Sequence, residues 1–293
     1  MSAPADSRRK WELWISVAPF ALLLVLFLIG PLALTPLLTF QETEFYRLKW
    51  TWSLETWTDV FSRATYVSVL SRTVLVAAFS TALCLIIAYP VAYALTTRLK
   101  RVSIQIQILI IFAFLTDAVL KTFGWVLFLD TNGLGNWLLA RLGFGEGVMN
   151  FLFTPYATVL GIIYNLTTYP IFTIYLSLMR IDPDLKTAAY DAGAGKLRTF
   201  WEVTLPLSRP GVIAGGVLVF VLALGTFLES KVLGGGTRPL ASELIRQTFE
   251  TRVNWPLGAA LTTALVAISI MALLALGFLI RRMSATRPAR EDE

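Results

Sequence analysis

The sequence contains no histidine and a single cysteine, Cys84, among its 293 residues. Without a second thiol there is no disulfide framework, and without imidazole there is no His/Cys metal cluster and no Ser-His or Cys-His nucleophilic pair. Most enzyme classes are excluded by these two absences. Charge is scarce as well, at 15% of residues against 56% hydrophobic, a balance foreign to soluble domains and normal for integral membrane proteins. The formal charge of +6 comes from 25 basic and 19 acidic side chains. The basic residues are dispersed and no basic-aromatic module accompanies them, so nucleic acid is not an expected partner.

What is present is a set of long uncharged runs. The six longest stretches free of Asp, Glu, Lys and Arg are 13–41, 73–97, 102–116, 147–179, 210–228 and 253–280. About 20 apolar residues cross roughly 30 Å of hydrocarbon as a helix, so five runs are long enough or nearly so. The third continues through Asp117 and Lys121 into Thr122–Leu129, and is read as one span carrying charge inside it, bent or reaching the outer interface. The runs are continuously apolar, whereas the strands of a barrel would alternate. The expected fold class is therefore an all-α integral membrane protein with six transmembrane helices, at about 13–40, 71–97, 102–129, 156–179, 210–233 and 257–280.

Arg8-Arg9-Lys10 before the first run resembles the start of a secretory signal, but the run is far longer than a signal core and has no convincing cleavage site. It is read as an uncleaved span, with Trp11 and Trp14 at the headgroup boundary and Gly30-Pro31 and Pro36 as kinks. Pro90 and Pro170 similarly interrupt the second and fourth spans. With both ends on one side, the tails 1–12 and 281–293 and the even-numbered loops hold 15 basic and nine acidic residues, while the other side balances at ten and ten. The whole excess of positive charge thus lies on one face, which the positive-inside rule makes the cytoplasm. The outer segments, about 41–70, 130–155 and 235–256, are long enough to form a surface, with turns at Asn132-Gly133-Leu134-Gly135 and Gly234-Gly235-Gly236.

The cytoplasmic segment 180–209 is the most informative. Asp182 caps a helix with Pro183 at its first position, Ala188, Ala189 and Ala192 form a small apolar face, and Gly193-Ala194-Gly195 breaks it. A second amphipathic stretch brings Leu197, Phe200, Trp201 and Val203 to neighbouring faces before Pro206 and Pro210 stop it at the membrane. The segment is too apolar for a free linker and needs a cover, either from another protein or, for Phe200 and Trp201, from this chain's own spans. Gly193-Ala-Gly-Lys196 is not a phosphate-cradling loop, because Tyr190 stands at the first glycine position and Leu197 follows the lysine.

These residues resemble the EAA loop of ABC-importer permeases, Glu-Ala-Ala, three residues, Gly, nine residues, Ile-x-Leu-Pro. Here the pattern reads Thr187-Ala188-Ala189, then Gly193, then Val203-Thr204-Leu205-Pro206, with every spacing kept. Thr187 replaces the glutamate and removes a charge that often helps fix the loop in the family, so the electrostatic anchor is either weaker or supplied elsewhere, for example by Asp191 or Glu202; Val203 for isoleucine is conservative. The likeness covers nearly the whole chain and narrows to spermidine/putrescine-type permeases through Ala88-Tyr-Pro-Val-Ala-Tyr93, Leu120-Lys-Thr-Phe-Gly-Trp125, Thr131-Asn-Gly-Leu-Gly-Asn136, Phe153-Thr-Pro-Tyr156, Gly234-Gly-Gly236 and Asn254-Trp-Pro-Leu-Gly-Ala-Ala260.

The resemblance implies the type I importer permease fold in the bacterial inner membrane. It implies as partners two ATPases that bind ATP and Mg²⁺, a second and more often different permease, and a periplasmic solute-binding protein. No cofactor or catalytic residue is then expected on this chain. The coupling loop would comprise Thr187, Ala188, Ala189, Gly193, Gly195, Leu197, Phe200, Val203, Leu205 and Pro206. A secondary transporter is the first rival, but no internal repetition supports it. A multi-pass enzyme fails for want of a catalytic constellation.

Ionisable residues within spans are costly and default to functional candidates, here for the solute path. Asp117 and Lys121 lie four apart on one helix face, which also suits an intrahelical pair. Glu229 and Lys231 end the fifth span two residues apart, so they point to different sides. The resemblance implies an acid near Lys231 and none at Asp117. The expected solute is accordingly either polyamine-like or a small zwitterionic or anionic amino-acid derivative.

Overall fold

The structure, a computed structural model, describes residues 17–20, 22–44, 47–49, 51–99, 102–144 and 150–285. The expected tail 1–12, the headgroup residue Trp14 and residues 286–293 lie outside the described residues.

Helices carry most of the chain: α1 (Val17–Leu38), α2 (Glu55–Ser62), α3 (Ala64–Thr96), α4 (Ser103–Leu115), α5 (Ala118–Leu129), α6 (Leu134–Arg141), α7 (Pro155–Leu166), α8 (Thr168–Met179), α9 (Pro183–Asp191), α10 (Lys196–Gly225), α11 (Leu228–Val232), α12 (Ala241–Glu250) and α13 (Trp255–Ala285). An addition to the expected all-α fold is a small antiparallel hairpin, β1 (Glu42–Glu44) with β2 (Arg47–Lys49), with Thr43 opposite Leu48. Helices α1, α3 and α10, and α13 over Trp255–Ala275, are long and apolar enough to cross a membrane. Two bent pairs, α4 with Ala118–Arg141 at 91° and α7 with α8 at 41°, raise the number to six if each is one span.

Each departure from a straight rod has a chemical cause. The third expected span breaks at Thr116, which is extended, and Asp117 restarts the helix by accepting the Val119 backbone N–H at 2.7 Å. The bend between α7 and α8 precedes Pro170, which has no N–H for the Leu166 carbonyl and crowds it. Pro206 and Pro210 do not stop the fifth helix as the sequence reading expects. Helix α10 runs through both, because a π-helical turn at Phe200–Thr204 widens the helix just before Pro206 and relieves the ring's clash with the preceding turn. At its other end α10 stops at Gly225, where Thr226 turns extended, so Glu229 and Lys231 sit on the separate α11 rather than on a span reaching 233. Helix α13 likewise extends past 280 to Ala285.

The chain forms two compact units, residues 1–67 with 245–267, and residues 68–244 with 268–293. In the first, the Trp57 indole N–H donates to Thr39 Oγ1 at 3.1 Å, and Phe249 meets Trp255 edge to face. The second holds all the site candidates. Its core joins Ala88, Ala92 and Leu95 of α3 to Ile171, Ile174 and Leu178 of α8. Around it Ile86, Phe112 and Leu127 are about two-thirds exposed, an apolar exterior suited to lipid rather than water.

Helices α8 and α10 approach closely. A Cβ on Gly211 would lie 3.1 Å from Ile174 Cα, and one on Gly215 would lie 2.9 Å from Pro170 Cα. Only glycine admits backbone at that separation, as in small-residue crossings of membrane helices. The contact is pinned by buried Ser208, whose Oγ lies 2.9 Å from Tyr89 Oη and whose carbonyl accepts from Ser177 Oγ at 3.4 Å. Helices α3, α8 and α10 are therefore tied together immediately beside the 180–209 segment.

Candidate functional site: an exposed coupling surface and a polar intramembrane cavity

Local chemistry shapes the 180–209 segment. Asp182 accepts the Asp184 N–H at 3.0 Å to cap α9, whose first position is Pro183. At the other end the Gly193 N–H donates to the Tyr190 carbonyl and the Ala194 N–H to the Ala189 carbonyl, both at 2.9 Å. This pair of bonds needs a left-handed residue between helix and exit, and Gly193 supplies it at φ +84°. Gly195 then caps the start of α10 in extended conformation.

The result is a helix, a turn and a second helix that leaves much of its apolar surface bare. Leu197 is 73% exposed and Trp201 59%, and Leu185 and Tyr190 are also exposed. Thr187 and Ala188 are exposed, with the Thr187 hydroxyl bonded back to the Pro183 carbonyl; Ala189, Val203, Leu205 and Pro206 are half-buried. Phe200 turns the other way. It stands edge to face with Tyr89 and Tyr93 of α3, at 5.7 and 5.4 Å between centroids. Of the two aromatics open to a cover from this chain's own spans, Phe200 is covered and Trp201 is not. Of the two acids able to replace the missing glutamate, Glu202 is paired with Arg198 at 2.9 Å, whereas Asp191 is exposed and has no ion pair among the described residues.

A cavity of about 710 Å³ opens where α4, α5, α7, α10 and α11 meet. It brings together three of the four charged residues proposed from sequence, Asp117, Lys121 and Glu229, and leaves out Lys231, which is exposed. Asp117 is occupied as the cap of α5, and no Asp117–Lys121 ion pair forms among the described residues. The intrahelical pair expected from the four-residue spacing is replaced by a backbone contact, because the helix begins after Asp117 instead of running through it. Glu229 is only 4% exposed and its Oε1 accepts from Asn165 Nδ2 at 2.7 Å. The same amide lies 3.5 Å from Thr122 Oγ1. Phe114 and Tyr169, in edge-to-face contact at 5.3 Å, form an aromatic part of the wall.

Asn165 is the residue that sequence reasoning missed. Its signal in the sequence is a carboxamide amid an otherwise apolar run, which is costly in hydrocarbon unless partnered, although it carries no formal charge. A second cleft, of about 610 Å³, is lined almost wholly by apolar groups including Phe79, Ile87, Trp125 and Tyr164. No group of three or more His, Cys, Asp or Glu able to hold a metal occurs among the described residues.

Known proteins agree with this architecture. The sequence matches the family described as binding-protein-dependent transport system inner membrane component over residues 8–287. It is 33% identical over 240 residues to the spermidine/putrescine transport system permease protein PotB of Escherichia coli, covering 82% of this chain and 86% of that one. The fold resembles that in the crystal structure of a bacterial ABC transporter that imports the acidic polysaccharide alginate, with a TM-score of 0.76 at 18% identity over 94% of this chain and 97% of that one. It also resembles the bacterial alginate ABC transporter in complex with alginate pentasaccharide-bound periplasmic protein, with a TM-score of 0.77 at 17% identity over 95% and 96% of the two chains. A chain with this loop, these apolar helices and a match along nearly its whole length belongs to the family of binding-protein-dependent transport system inner membrane components, the permeases of ABC importers.

Proposed function

We propose that this permease crosses the bacterial inner membrane six times with both termini in the cytoplasm, and that it forms the solute pathway with a second, different permease. Two ATPase subunits carry ATP and Mg²⁺ and dock on the 182–206 surface, and a periplasmic binding protein delivers the solute. The bare apolar face of Leu185, Tyr190, Leu197 and Trp201 is the observation that carries the reading. Such side chains next to a membrane need a protein groove, and Asp191 offers that groove a free charge in place of the glutamate that Thr187 lacks.

Movement of the docked loop passes into the membrane by two routes. Phe200 presses on Tyr89 and Tyr93, and α10 carries α8 with it through Gly211 and Gly215. Closure of the ATPase pair thereby shifts helices around the cavity and alternates its access, which is a rigid-body mode of transmission. The solute is an amine, either polyamine-like, as in the relatives named for spermidine and putrescine, or a zwitterionic amino-acid derivative. Asp117, Lys121 and Glu229 line its path, and Lys231 lies off it.

The docking assignment is tested by capture of the partner ATPase on the tagged permease, with and without the double change Leu197→Glu and Trp201→Glu. The double variant is expected to insert and lose the ATPase. Full retention of the ATPase would overturn the assignment.

A further inference from the structure

The cavity contains a carboxylate whose environment is incomplete. Glu229 is 4% exposed on α11, and among the described residues no Lys or Arg pairs with it. Its one described side-chain partner is the Asn165 amide, at 2.7 Å from Oε1. Asn165 is itself 8% exposed and turns its two Nδ2 hydrogens toward Glu229 and Thr122, while its Oδ1 is buried and accepts no hydrogen bond. A buried carboxylate without a counter-ion and a buried carbonyl oxygen without a donor each carry an uncompensated desolvation cost in a low-dielectric setting. Both deficits are answered by one kind of group, a cation with several N–H donors.

We propose that Glu229 and Asn165 form a subsite of the solute cavity that takes one primary ammonium group, and that Lys121 on the same cavity makes the preferred solute one that also carries a carboxylate. The proposal rests on the reading of this cavity as the solute path. A primary ammonium has three donors on a compact charge, which suits a carboxylate oxygen and an adjacent carbonyl oxygen. Tyr169 and Phe114 add aromatic rings to the same wall, a polarisable surface compatible with a cation once water is excluded.

Lys121 decides the second half of the solute. It lines the same cavity, is partly buried, and forms no ion pair among the described residues, because the Asp117 carboxylate caps α5 and acts on it only at longer range. A solute with ammonium groups at both ends would meet Lys121 with like charge, which costs affinity. A solute with an ammonium at one end and a carboxylate at the other satisfies both poles. The cavity volume of about 710 Å³ accommodates a molecule of amino-acid size. The chemical class is therefore an amino acid or a close derivative with a free amino group, rather than a simple polyamine.

The test uses the whole importer complex, both permeases with both ATPases, purified without its binding protein so that selectivity upstream does not intervene. Three probes separate the charges: putrescine has two ammonium groups alone, ornithine adds a carboxylate to that skeleton, and glutarate has two carboxylates alone. Binding by titration calorimetry is expected to be tightest for ornithine, weaker for putrescine and weakest for glutarate. Glu229→Gln keeps the shape and is expected to weaken both amines by about tenfold or more, the loss of one charge-assisted hydrogen bond. Lys121→Met is expected to remove the preference for ornithine while leaving putrescine bound at least as well. This second variant, which alters a partly exposed side chain, keeps the question open to measurement even where Glu229→Gln misfolds. Unchanged amine binding in Glu229→Gln, glutarate bound as tightly as ornithine, or no amine binding at all would each overturn the subsite. If such a result came with intact ATP-driven coupling in the same complex, the subsite alone would fall. Binding of the amines that neither Glu229→Gln nor Lys121→Met alters would instead remove the reading of this cavity as the solute path.

Discussion

Phe200 meets Tyr93 edge to face at 5.4 Å, while the next residue, Trp201, is 59% exposed. Two adjacent aromatics of the 180–209 segment thus face opposite ways. One fixes the segment to a membrane helix of its own chain, and the other faces outward.

The division gives opposite expectations for two similar substitutions. Phe200→Ala removes contacts with Tyr89 and Tyr93 and is expected to cost about 2 kcal/mol of stability, less than a fully buried phenylalanine would. Trp201→Ala is expected to leave the melting temperature of the isolated permease in detergent unchanged and to weaken ATPase capture. Equal melting losses for the two would contradict the division.

The close crossing of α8 and α10 makes glycine position-specific. Gly215→Ala places a Cβ 2.9 Å from Pro170 Cα, a backbone atom that cannot swing away, and is expected to destabilise by about 1–3 kcal/mol. Gly216→Ala meets two side-chain ends, Leu85 Cδ1 at 3.3 Å and Thr81 Cγ2 at 3.9 Å, and is expected to be neutral or slightly stabilising, since alanine favours a helix. Thermal unfolding of both variants in one detergent checks the contrast.

Asp117 offers a test of cap against ion pair. If its role is to accept the Val119 N–H, Asp117→Asn should be nearly as stable as wild type, and Asp117→Ala should lose about 1 kcal/mol. If it served chiefly as partner to Lys121, asparagine and alanine would cost alike. Unfolding curves of the two variants decide.

Much of the fold was legible because hydrocarbon imposes a simple rule on sequence, and the apolar runs mark where helices must lie. The Gly193 turn was legible for the same kind of reason, since a left-handed exit from a helix strongly favours glycine. What stayed hidden depended on contacts distant in sequence. Pro206 and Pro210 read as stops because the π-helical turn that accommodates them is invisible in residue type. The Asp117–Lys121 spacing fitted a helix that the structure breaks at Thr116. Asn165 and Glu229 lie 64 positions apart, and only the packing of α7 against α11 reveals that they share a cavity.

Topology is open to a cysteine-labelling test with no background from Cys84, which is fully buried. In the permease expressed without its ATPase, Leu197→Cys is expected to react with a membrane-impermeant maleimide only after the cells are opened. Trp137→Cys, on the exposed face of α6, is expected to react in spheroplasts from outside. The reverse pattern would invert the orientation.

The central claim is that the 182–206 segment transmits ATP-driven movement to the membrane helices. Gly193→Trp tests it most directly, because a side chain at Gly193 meets nothing within 4 Å in this chain, so its bulk is felt by whatever docks there. Its φ of +84° adds a local strain of about 1–2 kcal/mol, for which Gly193→Ala is the control. The measurement is ATP hydrolysis by the reconstituted complex with and without its loaded binding protein. The account predicts that stimulation is retained in Gly193→Ala and abolished in Gly193→Trp, with membrane insertion intact in both; normal stimulation in Gly193→Trp would contradict it.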